Sequence, residues 1–120
     1  MSEDQDILHS LVQELRRGTI ILGVLSQLSE PQYGYSLVTI LQEKGISVEA
    51  GTLYPLLRRL EKQGLLDSEW DTNEARPRKY YIISQTGKDI YRQLYHEWKD
   101  MMTSLEGLVD NKGESGNGSD

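Results

Sequence analysis

Six of the chain's basic side chains crowd into residues 51–80: Arg58, Arg59 and Lys62, followed by Arg76, Arg78 and Lys79. Cations at this density are suited to holding phosphate oxygens, arginine through paired hydrogen bonds and lysine as a point charge. Thr52 and Tyr54, just ahead of the first cluster, add a hydroxyl and a flat ring that suit a groove edge. Other chemistry has little to stand on. His9 and His96 are isolated, there is no cysteine, and neither a metal-ligand spacing nor a nucleophile motif nor a phosphate-cradling glycine loop occurs. No catalytic residue, metal or cofactor is expected.

These side chains need elements to aim them. Residues 51–63 read as a helix stopped by Gly64, with Leu53, Leu57 and Leu60 on one buried stripe and Thr52, Tyr54, Arg58 and Arg59 free to project elsewhere. Pro55 belongs in a first turn, which favours Thr52 as the N-cap and leaves Gly51 to bring the backbone close to a phosphate. A start at Glu49 would place the proline deeper and distort the turn. Strands follow at 66–70 and 79–83, joined by a tip rich in turn formers, with Trp70 read as a strand core residue.

Upstream, a helix over 34–44 buries Leu37, Ile40 and Leu41 and stops at Gly45. Helix, short turn and helix form a helix-turn-helix, and the hairpin behind it is a wing. Residues 5–17 and 20–28 carry apolar groups at helical spacing. Either one helix runs through Gly18 or two meet there with Thr19 as a cap, and Glu30-Pro31 ends the element. The expected fold is mainly α with a small β-hairpin: a winged helix-turn-helix with an N-terminal helix and a C-terminal dimerisation helix.

The candidate DNA-binding residues are Tyr35, Ser36, Gly51, Thr52, Tyr54, Pro55, Arg58, Arg76, Arg78 and Lys79. Each has a plainer use. Thr52, Tyr54 and Tyr35 can cap or pack, Arg58 is spaced for an ion pair with Glu61, and the wing cations can pair with Glu69, Asp71 and Glu74. Arg16 and Arg17 read as solvated surface charges.

Ser84 can cap a last helix over 85–109, in which Tyr91, Leu94, Trp98, Met101, Leu105 and Leu108 recur at spacings of 3, 4, 3, 4 and 3. Ile90, Tyr95, Met102 and Val109 widen that stripe. A helix apolar over two faces needs two covers, one from its own subunit and one from the same helix of a second copy. The six seam residues are therefore the expected dimer interface. Two Trp98 rings across a dimer axis would form a slot for a planar aromatic ligand, with Tyr95 and Met102 beside it; the plainer reading is that Trp98 fills the interface. The resulting division is 1–84 for the winged helix-turn-helix, 85–109 for the dimerisation helix and 110–120 for a disordered tail.

The chain has 120 residues and a formal net charge of −6, which by itself opposes binding to a polyanion. The distribution of that charge points the other way. Residues 1–50 hold three basic and seven acidic groups, residues 51–80 six and five, and residues 81–120 four and seven. Counterion release depends on the local cations, and charges beyond a Debye length of roughly 8 Å are screened. There is no apolar run long enough to span a bilayer and the N-terminus is acidic, so a cytoplasmic protein is expected, at the nucleoid when bound to DNA.

The chain resembles the PadR family of bacterial transcriptional regulators. The resemblance is carried by Arg17-Gly18-Thr19, Tyr33-Gly34-Tyr35-Ser36-Leu37, the block from Gly51-Thr52-Leu53-Tyr54-Pro55 to Leu60-Glu61, Gly64-Leu65-Leu66, Arg76-Pro77-Arg78-Lys79-Tyr80-Tyr81 and Thr86-Gly87. It covers about residues 16–88, and the single C-terminal helix is similar to the short subfamily. The resemblance implies a homodimeric repressor that binds operator DNA and is released by a small molecule, planar aromatic or phenolic. Tyr33 stands where many members have His, and Glu49 where a capping Ser is common. The other functions open to such a chain are a winged-helix protein–protein adaptor and an effector-independent regulator.

Overall fold

A computed structural model describes residues 2–73 and 75–114. Its first element, α1 (Glu3–Ser26), is one uninterrupted helix. Ser2 caps it through a 3.2 Å bond from the Gln5 amide, and Glu3, Asp4 and Asp6 complement the dipole in its first turn. Thr19 does not start a second helix. Its hydroxyl donates to the Arg16 carbonyl at 2.8 Å, a bond made inside the continuing ladder. Only the C-terminal part of α1 enters the core, through Val24 and Leu25, while Ile7, Leu8, Leu11 and Leu15 are exposed.

After Pro31 the chain forms a two-residue strand, β1 (Gln32–Tyr33), and turns directly into α2 (Gly34–Glu43). This strand is not legible as a segment because two residues carry no period. It exists through pairing, Gln32 with Tyr81 and Tyr33 with Tyr80. α2 buries Leu37 and Leu41 fully and Ile40 only in part.

α3 (Ala50–Lys62) starts three residues earlier than an N-cap at Thr52 would give. Glu49 occupies the N-cap without a side-chain bond, and its carbonyl accepts from the Thr52 and Leu53 amides, both at 2.9 Å. Thr52 is therefore inside the helix rather than capping it, and Pro55 lies in the second turn. The proline forgoes one ladder bond there, and burial of Leu53, Leu57 and Leu60 outweighs that loss. Both α2 and α3 end in glycines of positive φ, Gly45 at 92° and Gly64 at 83°. The following amides, Ile46 and Leu65, reach back to Leu41 and Leu60 at 2.8 and 2.9 Å, the Schellman arrangement expected from those stops.

The wing pairs β2 (Leu66–Asp71) with β3 (Arg78–Ile83) in antiparallel register from Leu66–Ile83 to Asp71–Arg78. With β1 it makes a three-stranded sheet in the order β1-β3-β2. One face of the sheet joins the helices in a core made of Leu25, Leu28, Leu37, Leu41, Leu53, Leu57, Leu60, Leu66 and Ile83 among others, with no buried polar residue among the described ones.

Ser84 joins wing to last helix. Its hydroxyl donates to the Gly64 carbonyl at 2.7 Å and accepts from the Gly87 amide at 2.9 Å, so the expected cap is also a tie to the end of α3. α4 (Gln85–Glu114) is 30 residues long and continues five residues past the expected end at Val109. Polar residues 110–114, expected from sequence to be tail, are thus helical, carried on by the ladder already nucleated upstream. The rest of that tail lies outside the described residues.

Candidate nucleic-acid interface

Along α3, at 100° per residue, Leu53, Leu57 and Leu60 point inward, while Gly51, Thr52, Pro55, Arg58, Arg59 and Lys62 are all exposed. The exposed side divides into two flanks. Tyr54 and Arg58 face the wing. Thr52, Pro55, Leu56 and Arg59 face α1, where they line a groove of about 520 Å³ with Arg17, Ile20 and Ile21. Thr52 and Pro55 thus lie at the edge toward α1, away from the wing.

On the wing side, Tyr35, Tyr54, Arg58, Arg78 and Lys79 line one concavity of about 420 Å³ together with Tyr33, Gly34, Trp70 and Tyr81. Five sequence-nominated residues converge here from α2, α3 and β3. Gly51 and Ser36 are outside this lining; Gly51 remains on the open side of α3, where a Cβ would meet nothing within 4 Å. Arg76, at the exposed hairpin tip, also lies outside it. Convergence of α2 and α3 depends on Gly34, since a Cβ at that position would overlap the Tyr54 ring. Tyr54 is half-buried as a result, fixed against α2 rather than fully free.

The wing is tied to α3 by Glu61, which does not pair with Arg58 as its spacing allowed. Its carboxylate accepts from Ser68 Oγ on β2 at 2.5 Å and from Lys79 Nζ on β3 at 3.1 Å. The Ser68 hydroxyl is the main reason its pKa is depressed; burial opposes the shift and Lys79 adds to it. At Lys79, burial disfavours the ammonium, but the hydrogen bond from Lys79 to Glu61, with the charges of Tyr81 and Glu61, outweighs it and raises the pKa. Lys79 is therefore committed to holding the wing, whereas Arg58 forms no ion pair among the described residues.

A second tie fixes the wing tip. The Tyr33 hydroxyl donates to Asp71 Oδ2 at 2.6 Å, and the Asn73 amide donates to Asp71 Oδ1 at 3.0 Å. These bonds, Tyr33 first, hold the Asp71 carboxyl below its ordinary range. The Arg78 guanidinium lies 4.5 Å from the Tyr33 ring centroid, so the aromatic ring orients the cation beside α2.

Sequence reasoning misses Trp70. It assigns the residue to the strand core, yet the ring is 62% exposed and stands beside Lys79, whose Nζ is 6.0 Å from the indole centroid. A signal is available in the alternation Leu66, Ser68, Trp70, which puts all three on the face toward α3. What the alternation omits is where α3 ends and cover runs out.

A winged helix of this kind, with cations and aromatics gathered between α3 and the wing, invites comparison with known proteins. Residues 21–93 match the PadR-like family of transcriptional regulators. The chain belongs to this family. Like other members of the PadR family it is a transcriptional regulator and not an enzyme. A PadR family regulator from Eggerthella lenta is similar in structure, with a TM-score of 0.85 and 50% identity, covering 88% of this chain and 94% of that one. A PadR-like regulator from Bacillus cereus has a TM-score of 0.70 and 29% identity, covering 80% and 96% respectively. The transcriptional regulator Rv3488 of Mycobacterium tuberculosis is 35% identical over 78 residues, 64% of this chain and 73% of its own length.

The PadR C-terminal helix divides its heptad seam between two environments. Tyr91, Leu94 and Trp98 are half-buried, and Tyr91, Tyr95 and Trp98 line a shallow cleft of about 220 Å³ with Thr19, Leu22, Gly23, Ser26 and Ile46. Tyr95 stacks on Trp98 at 5.9 Å between centroids. Met102, the third nominated ligand contact, does not line this cleft. Met101, Leu105 and Leu108 are exposed by 55%, 47% and 65%, so the far half of the seam has no cover among the described residues. No helix is long and apolar enough to cross a membrane among the described residues.

Proposed function

We propose that this PadR-family chain is a homodimeric repressor of specific operators, released by a small planar aromatic effector. The observation that carries the DNA-binding part is the exposed strip Gly51, Pro55, Arg58, Arg59 and Lys62 on α3, flanked by a wing anchored to the same helix through Glu61. In this reading α3 enters the major groove, Arg58 and Arg78 hold phosphates or base edges, Arg76 contacts flanking backbone, and the α2 N-terminus at Tyr35 and Ser36 faces a phosphate. Gly51 admits close backbone approach and Thr52 contributes its hydroxyl at the groove edge.

Dimerisation is supported by two uncovered apolar faces. One is the N-terminal half of α1, with Ile7, Leu8, Leu11 and Leu15; the other is the distal half of α4, with Met101, Met102, Leu105, Leu108 and Val109. A two-fold arrangement covering both would set two α3 helices on half-sites about 34–36 Å apart. The Tyr95–Trp98 stack lies where α4 crosses α1, so a ring inserted beside it would alter the angle between them and hence the separation of the two α3 helices. A tenfold loss of operator affinity requires only about 1.4 kcal/mol of such coupling.

The test is fluorescence anisotropy on duplexes recovered by selection from a random library, with sedimentation run in parallel. A dimer retained on an inverted repeat is the expected result. A single-copy solute at micromolar concentration that recovers no duplex would overturn the proposal. Planar aromatics should quench Trp98 fluorescence and release DNA together; quenching without release would remove the effector role.

A further inference from the structure

Trp70 is far more exposed than its place on the core-facing side of the hairpin accounts for. Down the α3-facing side of the hairpin, Leu66 and Ile83 are buried at 2% and 7%, Ser68 and Tyr81 follow as the next pair, and Trp70 and Lys79 come last. The same face that is core at the base runs beyond the helices at the tip, and there it presents the largest side chain of the hairpin 62% exposed. Nor is the ring placed loosely. Lys79 is paired with it across the strands, lies over it at 6.0 Å, and is itself held at 3.1 Å by Glu61 of α3. The indole therefore has a set position relative to α3.

Its surroundings mix two properties. The concavity it lines has aromatic walls, including Tyr35 at 72% exposure and Tyr54, and cationic members Arg58 and Arg78. Apolar walls with cations at the rim suit a polyanion whose sugar faces are themselves apolar. A protein partner would need an acidic segment with apolar side chains to match. Duplex DNA offers the combination in each nucleotide, a phosphate joined to a deoxyribose with no 2′-hydroxyl.

We propose that Trp70 is a DNA-contacting residue, packing its indole face on deoxyribose of the strand whose phosphates Arg58 and Arg78 engage. The proposal rests on the DNA-binding reading above and adds to it a neutral contact. Burying an uncharged ring releases no counterions, so this contact strengthens binding without steepening its salt dependence.

The full-length protein labelled with 5-fluorotryptophan gives two fluorine signals, assigned through Trp70→Phe, and is titrated with a duplex selected from a random library by the wild-type protein. The Trp70 signal is expected to shift on binding. Trp70→Ala should lose about tenfold in affinity with an unchanged slope of log K against log salt, and Trp70→Phe should retain most of the affinity. Arg58→Ala should instead reduce the slope by about one. The Trp70→Ala protein should melt at the wild-type temperature, because the ring is mostly outside the core. An unmoved Trp70 signal, or unchanged affinity of Trp70→Ala for a duplex that Arg58→Ala binds weakly, overturns this contact and leaves the DNA-binding reading standing. Recovery of no duplex removes both.

Discussion

Glu61 illustrates how one carboxylate decides what neighbouring charges can do. By accepting from Ser68 and Lys79 together, it turns a wing cation into an anchor, while Arg58 forms no ion pair among the described residues. Its pKa in the folded chain lies below the ordinary value, so its stabilising contribution is present above the usual carboxylate range and disappears as pH falls through the depressed value. Urea melts at pH 7 and at successively lower pH should show this loss in the wild type and a shallower one in Glu61→Gln. Equal pH dependence in both would place the titrating group elsewhere. Arg78→Ala and Tyr54→Ala should each weaken operator binding in an anisotropy assay while leaving the protein folded, Arg78 through phosphate and Tyr54 through the groove edge. Each loss is expected at about 1–3 kcal/mol.

At the level of elements, the close approach of α2 to α3 is set by the missing Cβ at Gly34. Gly34→Ala would drive a methyl into the Tyr54 ring and should destabilise by about 1–3 kcal/mol, the usual cost of overpacking. Combining it with Tyr54→Ala should recover part of that loss, and a double-mutant cycle in denaturant measures the coupling. Additive effects would show that the two residues do not meet. Ser84 makes the corresponding joint between wing and α4. Its replacement by alanine removes both the cap on Gly87 and the bond to the Gly64 carbonyl, at an expected cost of about 1–2 kcal/mol read from the midpoint of a urea melt.

Over the whole molecule, the main feature is how little of the two longest helices the described residues cover. α1 is exposed at Ile7, Leu8, Leu11 and Leu15, and α4 at Leu105, Leu108 and Val109, leaving apolar surface at both the start and the end of the chain. A charged residue introduced at Leu105 or Leu11 should therefore yield a smaller species in sedimentation while circular dichroism keeps the helical signal. In the proposed dimer the same variants should lose operator affinity by more than either α3 would contribute alone, since two half-sites would no longer be engaged together. A Leu105→Lys protein that sediments like the wild type would exclude α4 from the interface.

Much of this architecture is written locally. Glycines at 45 and 64 end helices because the Schellman turn needs positive φ, the leucines of α3 fall on one stripe because the helix repeats every 3.6 residues, and Ser84 caps because its hydroxyl sits one step ahead of an amphipathic run. The Gly-Thr-Leu-Tyr-Pro block followed by Arg78-Lys79-Tyr80-Tyr81 likewise points to the PadR family. The start of α3 is not legible, because the preference of Pro55 for a first turn is a weak local bias that burial of three leucines overrides. β1 is not legible because a two-residue strand is defined only by the strand beside it. Trp70 leaves the core that its strand suggests, and the Arg58–Glu61 pair gives way to Glu61–Lys79, for the same reason: which side chains meet, and which find no cover, depends on distances between elements far apart in the chain. Periodicity names the face a residue shares; only the packed helices and sheet determine where that face ends.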